Sequence, residues 1–343
     1  MQNSSNNRRT FIKKASLASV GFVFAKEVAA SFIPQNPAEA KKRIGIIGLD
    51  TSHAVAFTKA LNAAKSDPQY KGYKIVAAYP KGSNDIQTSV ERIPGYTEDV
   101  KKLGVEIVDS VEALLEKVDF VLLETNDGRL HLEQALKVIK SGKTMFIDKP
   151  VAASLKDAMI IFDEAKKNNV PVFSSSSLRF VAGAQEIAAG KVGKVYGAEA
   201  YSPLKMEKTH PDLFWYGIHG VETLYTLMGK GCKKVSRIIE PDNEMVIGVW
   251  EDNRIGTFRG IKTGKQQYGG TAFGEKDVAT IGPFLGYNPL LVKIIEFFET
   301  GIPPVSAEET LEICAFMEAA DESKKKGGKP VLLEKMFERA GRK

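Results

Sequence analysis

Cysteine is scarce in this chain, with two among 343 residues, Cys232 and Cys314. They stand far apart and show no metal-ligand spacing, which excludes a disulfide scaffold and a cysteine-rich zinc module. Both are expected to be buried or idle thiols, with a disulfide between them left open. Long apolar runs are also missing. No stretch reaches the roughly 20 residues that cross a bilayer, and there are no internal repeats or low-complexity tracts. Charge of one sign is lacking too. The net charge of +6 comes largely from residues 1–30, where Arg8, Arg9, Lys13, Lys14 and Lys26 meet one acid, Glu27; the remainder holds 43 basic against 41 acidic residues. That balance leaves no nucleic-acid footprint. The late "DESKKKGGK" run, Asp321 to Lys329, is mixed in sign and reads as a solvated helix end. With 43% hydrophobic and 26% charged residues, the length is enough for two ordinary domains.

Residues 1–30 read as a targeting segment. Arg8-Arg9 precede Phe11-Ile12-Lys13, a modest apolar run spans Ala15 to Ala25, and small residues end at Ala29-Ala30. This resembles a twin-arginine export signal, with cleavage after Ala30 and a linker over 31–42. The resemblance implies a periplasmic or otherwise extracytoplasmic address. That route moves folded proteins, so a cytoplasmic cofactor would be loaded first and held tightly.

From residue 43 the pattern alternates strand and helix. "RIGIIGL" is a nearly continuous apolar run, as in a strand buried on both faces. "HAVAFTKALNAAK" has helical spacing. "YKIVAAYP" is a second strand, and Ser110 reads as the N-cap of "VEALLEKV". The strands "DFVLLET", "TMFIDKP" and "VPVFSSSS" follow, separated by the helices "GRLHLEQALKVIKSGK" and "LKDAMIIFDEAKKNN". Residues 43–178 therefore predict a doubly wound, Rossmann-like parallel α/β sheet. After Arg179 the pattern turns to "VYGAEAYSP", "KKVSRIIEP" and "EMVIGVWEDNRIGTFRGI", with the helices "PLLVKIIEFFETG" and "SAEETLEICAFMEAADESKKKGG". Residues 179–343 predict an α+β substrate domain on a mostly antiparallel open sheet, through which chains are expected to form a homo-oligomer.

Several stretches, "GIIGL", "ETNDGRLHLEQALKVIKSGKTMFIDKP", "RFVAGAQEIAAGKVGKVYGAEAY", "GIHGVE" and the closing "PPVSAEETLEICAFMEAADESKKKGGKPV", fall in the order seen in the Gfo/Idh/MocA oxidoreductases. The chain resembles that family over roughly residues 43–335. The resemblance implies a nicotinamide dinucleotide and a carbohydrate substrate. Asp148-Lys149-Pro150 matches the family's E-K-P element, whose lysine handles a proton or holds substrate and whose proline is often cis. A lysine at the carboxyl end of a sheet strand is also where ligands bind in open α/β sheets. "GIHGVE" matches the helical D-x-x-x-H element. His219 is the expected acid/base, Trp215 stands where the aspartate is usual, and Glu222 is the expected orienter. Positions three and four apart share a helix face, so Trp215, Tyr216, His219 and Glu222 are expected to cluster, with Tyr216 offering a hydroxyl and Trp215 a stacking face for a sugar. His131 follows "ETNDGRL", the counterpart of a T-P-N-x-x-H turn that includes Asn126. His210, Tyr201 and Arg179 are further substrate-binding candidates.

The first turn departs from the pattern. Where a dinucleotide fingerprint reads G-x-G-x-x-G, this chain reads Gly48-Leu49-Asp50-Thr51-Ser52-His53. A carboxylate about 4 Å from a phosphate costs on the order of 4 kcal/mol at an effective dielectric of 20. Asp50 can instead cap the helix, with Thr51 and Ser52 offering hydroxyls to a shifted phosphate. No acid follows the second strand to hold a ribose 2′-hydroxyl; Lys81 and Ser83 suit a 2′-phosphate, which places NADP slightly ahead of NAD. The expectation is an exported NAD(P)-dependent oxidoreductase acting on a sugar hydroxyl, with Lys149 and His219 handling the proton and no resident metal. Two other readings stay open: a carbohydrate-binding protein on a degenerate fold, and a metal-using lyase or isomerase with Asp50 and His53 as ligands.

Overall fold

Branched aliphatic residues dominate the first strands, and burial on both faces follows. The computed structural model describes residues 42–342; the twin-arginine segment and most of the linker lie outside the described residues. Six strands form one sheet: β1 (Arg43–Ile47), β2 (Lys74–Tyr79), β3 (Glu106–Ile107), β4 (Phe120–Leu123), β5 (Thr144–Ile147) and β6 (Val172–Ser174). The order is β3-β2-β1-β4-β5-β6, parallel throughout. The connections carry α1 (Ser52–Asn62), α2 (Gln87–Lys102), α3 (Val111–Lys117), α4 (His131–Lys140) and α5 (Leu155–Lys167). This is the doubly wound sheet expected for the first half. Ser110 caps α3 by accepting from Ala113 N at 3.0 Å, and Ser154 caps α5 through Asp157 N at 3.1 Å. Residues 87–102 carried no assignment from the sequence, because Pro94 and Gly95 stand inside the helix.

The second sheet orders its strands β12-β11-β7-β10-β9-β8-β13. They are β7 (Val195–Pro203), β8 (Cys232–Ile239), β9 (Asn243–Trp250), β10 (Ile255–Ile261), β11 (Gly269–Gly274), β12 (Val278–Thr280) and β13 (Val331–Leu332). Only β7 and β10 pair in parallel; the rest are antiparallel, as expected. The accompanying helices are α6 (Ala184–Ala188), α7 (Ile218–Met228), α8 (Asn288–Thr300), α9 (Ala307–Lys325) and α10 (Leu333–Ala340). Every residue of α7 is buried. It is enclosed by β7, β10 and β11 on one side and by α6 and α9 on others, so its polar side chains must find partners within the protein.

The chain then returns to the first sheet. Leu290, Leu291, Ile294, Ile295, Phe297 and Phe298 of α8 share one core with Ile44, Ile46, Phe57, Tyr73 and Phe173. The two sheets are thus clasped, and residues 42–342 lie within one compact unit.

Candidate active site

Ligands of open parallel sheets bind beyond the carboxyl ends of the strands. Here those ends carry Asp50 after β1, Glu124 after β4 and Asp148 after β5, each fully buried. A cavity of about 180 Å³ opens over them, lined among others by Thr51, Ser52, His53, Asn126, Asp148, Lys149, Tyr216, His219, Tyr268 and Tyr287. Lys149 and His219, 70 residues apart in the chain, both line this cavity.

Lys149 follows β5, and the Lys149–Pro150 bond is cis. Its Nζ stands 3.4 Å from Asp148 Oδ2. His219 enters from the first turn of α7. Its Nδ1 lies 2.8 Å from Ser176 Oγ, which also accepts from Leu178 N at 3.2 Å. Burial, with the Lys149 cation nearby, holds His219 well below the ordinary imidazole range, so at neutral pH it is a neutral base. Tyr216 and Tyr268 flank its ring edge-on at 5.2 and 5.8 Å and share a 3.0 Å hydroxyl contact.

The expected helical cluster is divided. A turn of π-helix, Leu213–Gly217, precedes α7 and breaks the three-and-four spacing. Tyr216 and His219 face the cavity. Trp215 turns towards His210, at 5.0 Å between ring centres, and lines an adjoining cavity of about 220 Å³ with Arg92, Asn126, Lys149, Lys205 and Tyr216. Glu222 does not orient His219; Ser176 holds that place. Glu222 accepts from Ser175 Oγ at 2.7 Å and Ser176 N at 2.8 Å and pairs with Arg179 at 2.9 Å. Arg179 also pairs with Glu309 at 2.8 Å. Arg179 and Glu222 are therefore a buried structural pair and do not line the cavity that holds Lys149 and His219. His210 lies away from the cavity, its Nε2 3.3 Å from Asp127 Oδ1. Tyr201 lies against Gly269, where any Cβ would meet its ring at 2.2 Å, and does not line the cavity. A larger cavity of about 820 Å³, behind α7 and beside α8, holds neither Lys149 nor His219.

At the altered turn, Gly48 has φ +89°, and a Cβ there would stand 2.5 Å from Thr125 N. This glycine serves close packing of the β1 and β4 loops. Asp50 does not cap α1: Thr51 is the N-cap and no side chain caps the helix. Instead Asp50 Oδ1 accepts from Asn126 N at 2.9 Å and Oδ2 from Ser83 N at 3.3 Å. Burial raises its pKa. The loops after β2 and β4 are thus tied across the end of β1. Gly82 is required there, since a Cβ would fall 2.1 Å from Asp50 Oδ2. Further ties join the same loops. Ser83 Oγ lies 2.9 Å from Asp127 Oδ2, and Arg129 pairs with both Asp85 and Asp127. Burial alone would raise Asp127, but His210 and Arg129 hold it far below the carboxylate range.

Ser83 is therefore engaged with acids and not free for a 2′-phosphate; of the two groups that favoured NADP, only exposed Lys81 remains free. An acid does follow the second strand, Asp85, but Ser83 Oγ donates to it at 3.0 Å and Arg129 pairs with it. His131 is fully buried and joins loops, its Nε2 at 2.7 Å from Thr125 O and its Nδ1 at 3.0 Å from Pro150 O. Tyr268, Phe284 and Tyr287 also line the cavity; they sit in connections without periodicity, and no sequence signal marked them.

His53, in the third-glycine place, is buried against Asp148 at 3.1 Å and Glu124 at 3.6 Å, with Tyr287 packed on its ring at 4.3 Å. Asp50 is not part of this group; His53, Glu124 and Asp148 each bring one donor atom within 4.8 Å of the others. Burial and the neighbouring Asp148 raise Glu124 well above the carboxylate range. Burial would raise Asp148 too, but His53 and Lys149 keep it low.

Residues 42–176 match the family described as "Oxidoreductase family, NAD-binding Rossmann fold", GFO_IDH_MocA. An uncharacterized oxidoreductase of Streptococcus pneumoniae serotype 4 is 26% identical over 172 residues, 45% of this chain and 47% of that protein. A 1,5-anhydro-D-fructose reductase of Ensifer adhaerens is 32% identical over 122 residues, 34% of this chain and 36% of that protein. The matched stretches thus span half or less of those relatives. Scyllo-inositol dehydrogenase from Lactobacillus casei, solved with NAD(H) and scyllo-inositol, superposes with a TM-score of 0.68 at 16% identity, covering 86% of this chain and 100% of that one. At that identity the likeness speaks for the fold.

A dinucleotide can be tested against these residues. The first turn of α1 has no side-chain cap, so its free amides suit a pyrophosphate, and Thr51 and Ser52 line the cavity beside it. Those residues fit. Beside that turn the loops after β2 and β4 are joined through Asp50, Ser83 and Asp127.

Proposed function

We propose that this chain, whose residues 42–176 match the Gfo/Idh/MocA oxidoreductase family of the NAD-binding Rossmann type, is an NAD(P)-dependent oxidoreductase acting on a secondary hydroxyl of a sugar or cyclitol. The observation that carries this is that Lys149 and His219 line one cavity, with His219 held by Ser176. The 1,5-anhydro-D-fructose reductase and scyllo-inositol dehydrogenase among the similar proteins support that substrate class. When bound, the dinucleotide exchanges a hydride with the substrate carbon. The chain does the rest. Thr51, Ser52 and the α1 amides hold the pyrophosphate. Lys149 holds the reacting oxygen. In the tautomer whose Nδ1–H donates to Ser176 Oγ, His219 Nε2 takes the carbinol proton on oxidation and returns it on reduction. Tyr216 and Tyr268 offer hydroxyls to the ring, and Trp215 a stacking face in the adjoining cavity.

The proposed site of action is extracytoplasmic, reached by the twin-arginine segment. Exposed Tyr196, Ile255, Phe273 and Val278 on four strands of the second sheet support self-association through that sheet.

The test is titration of the purified chain with NAD(H) and NADP(H) separately by intrinsic fluorescence, followed by turnover on sugars and cyclitols. Saturable binding of one dinucleotide is expected. Lys149→Ala and His219→Ala are each expected to lower turnover by about 10²–10⁴-fold with binding retained. A chain with affinity for neither dinucleotide would move the reading to carbohydrate binding alone.

A further inference from the structure

At the floor of the cavity three donors from three elements converge: His53 Nδ1 from the first turn of α1, a Glu124 oxygen beyond β4 and an Asp148 oxygen beyond β5. We propose that they form a binding site for one divalent first-row transition-metal ion of the zinc or manganese class.

All three donor atoms lie within 4.8 Å of one another. His53 Nδ1 is 3.1 Å from Asp148 Oδ1 and 3.6 Å from Glu124 Oε2. Two donors each at about 2.1 Å from a tetrahedral ion stand roughly 3.4 Å apart, and the observed pair of distances brackets that value. Hydrogen bonding does not account for the arrangement. His53 Nδ1, Glu124 Oε1 and Asp148 Oδ1 are all buried and make no hydrogen bond of normal geometry. His53 is 5% exposed, and Glu124 and Asp148 are not exposed at all. His53 Nδ1 and Asp148 Oδ1, 3.1 Å apart, are both orphaned, and buried polar atoms without hydrogen bonds call for an unseen partner. A dication suits the place, because the buried carboxyl groups of Glu124 and Asp148 otherwise face only the His53 ring and Lys149.

The surroundings suit a metal site. Thr51 Oγ1 donates to Glu124 Oε2 at 3.4 Å and Lys149 Nζ to Asp148 Oδ2 at 3.4 Å, holding each carboxylate from outside. Tyr287 and Phe57 pack on the His53 ring at 4.3 and 5.5 Å and fix its plane. One imidazole nitrogen with two carboxylate oxygens suits zinc or manganese more than calcium or magnesium, which prefer oxygen alone. Three protein donors leave positions open, and His53 and Asp148 line the same cavity as Lys149 and His219. An ion there would touch a water or a substrate oxygen in that cavity. The histidine that displaced a glycine from the turn thereby gains a role.

The proposal does not depend on the dinucleotide reading, so the two tests fail separately. Untagged full-length chain is stripped with chelator and titrated calorimetrically with Zn²⁺ and with Mn²⁺, in the absence of dinucleotide. One equivalent is expected to bind, with a rise in melting temperature. Glu124→Gln, which keeps shape, and His53→Asn are each expected to weaken binding at least tenfold. Should either variant fail to fold, Co²⁺ added to the stripped wild type is read by its visible d–d absorption, which is expected to saturate at one equivalent. No saturable binding by the wild type, or equal binding by folded variants, would overturn the site.

Discussion

Single side chains decide how this site titrates. Burial beside Lys149 keeps His219 neutral, whereas in the unfolded chain it protonates near pH 6.5. Below that value the unfolded state binds the extra proton, so the stability contributed by His219 is complete above it and is lost as pH falls towards the lowered folded value. Carbinol oxidation should therefore hold its kcat/KM from neutrality down past pH 6.5 and fall only in more acid solution. His219→Asn should remove that limb together with most of the rate; an unchanged acid limb in the variant would assign it to another group. Asp50 offers a second test. Its carboxylate satisfies two loop amides, and orphaning buried amides costs about 1–3 kcal/mol each. Asp50→Gly should lower thermal stability and, by freeing the loops after β2 and β4, tighten dinucleotide binding. Fluorescence titration and a melting curve read both; weaker binding in the variant would mean that the tie organises the site rather than obstructs it. The roles of Lys149 and His219 were suggested by sequence because each sits in a contiguous motif. Ser176, Glu124 and Tyr287 were not, because the site residues they meet, His219, Asp148 and His53, lie 43, 24 and 234 residues away in the chain, a separation no local pattern records.

Elements carry the site through their ends and their faces. Strand–helix alternation was legible wherever apolar periodicity was strong, as in β1, α1, β4 and α5. It failed over α2, which carries Pro94 in its interior, over β11, which holds three glycines, and over β12, which is three residues long. The π-turn before α7 had no sequence signature, and it is what separates Trp215 from His219. The seat of α7 is tight: a Cβ on Gly220 would stand 2.2 Å from the Phe258 ring. Gly220→Ala should cost about 1–3 kcal/mol by overpacking and, being adjacent to His219, should depress kcat more than dinucleotide affinity. Equal loss in both would place the damage outside the cavity.

Across the molecule, the clasp of α8 onto the first sheet makes the two halves interdependent. Phe297 is 1% exposed and packs edge-on to Phe173 at 4.7 Å, although 124 residues separate them. Phe297→Ala should destabilise by about 3–5 kcal/mol, read as a single lowered unfolding transition for the whole of residues 42–342. Two separated transitions would show that the sheets unfold on their own and that the clasp is weak. That interdependence bears on the proposed export. A chain whose first sheet is completed only by residues 288–300 cannot close around a dinucleotide until those residues are made. A translocation route that accepts folded proteins suits such a chain, whereas threading it unfolded would leave any cytoplasmic dinucleotide behind. Replacing Arg8 and Arg9 together by lysine keeps the charge and removes the planar guanidinium forks. The variant should accumulate, folded and uncleaved, in the cytoplasm of a host with a working twin-arginine route, while the unaltered chain appears outside it in processed form. Fractionation with an antibody to the chain, and a host lacking that route as the control, read the outcome. Unimpeded export of the twin-lysine chain would show that the arginine pair is not the address, and would remove the argument for a preloaded cofactor with it.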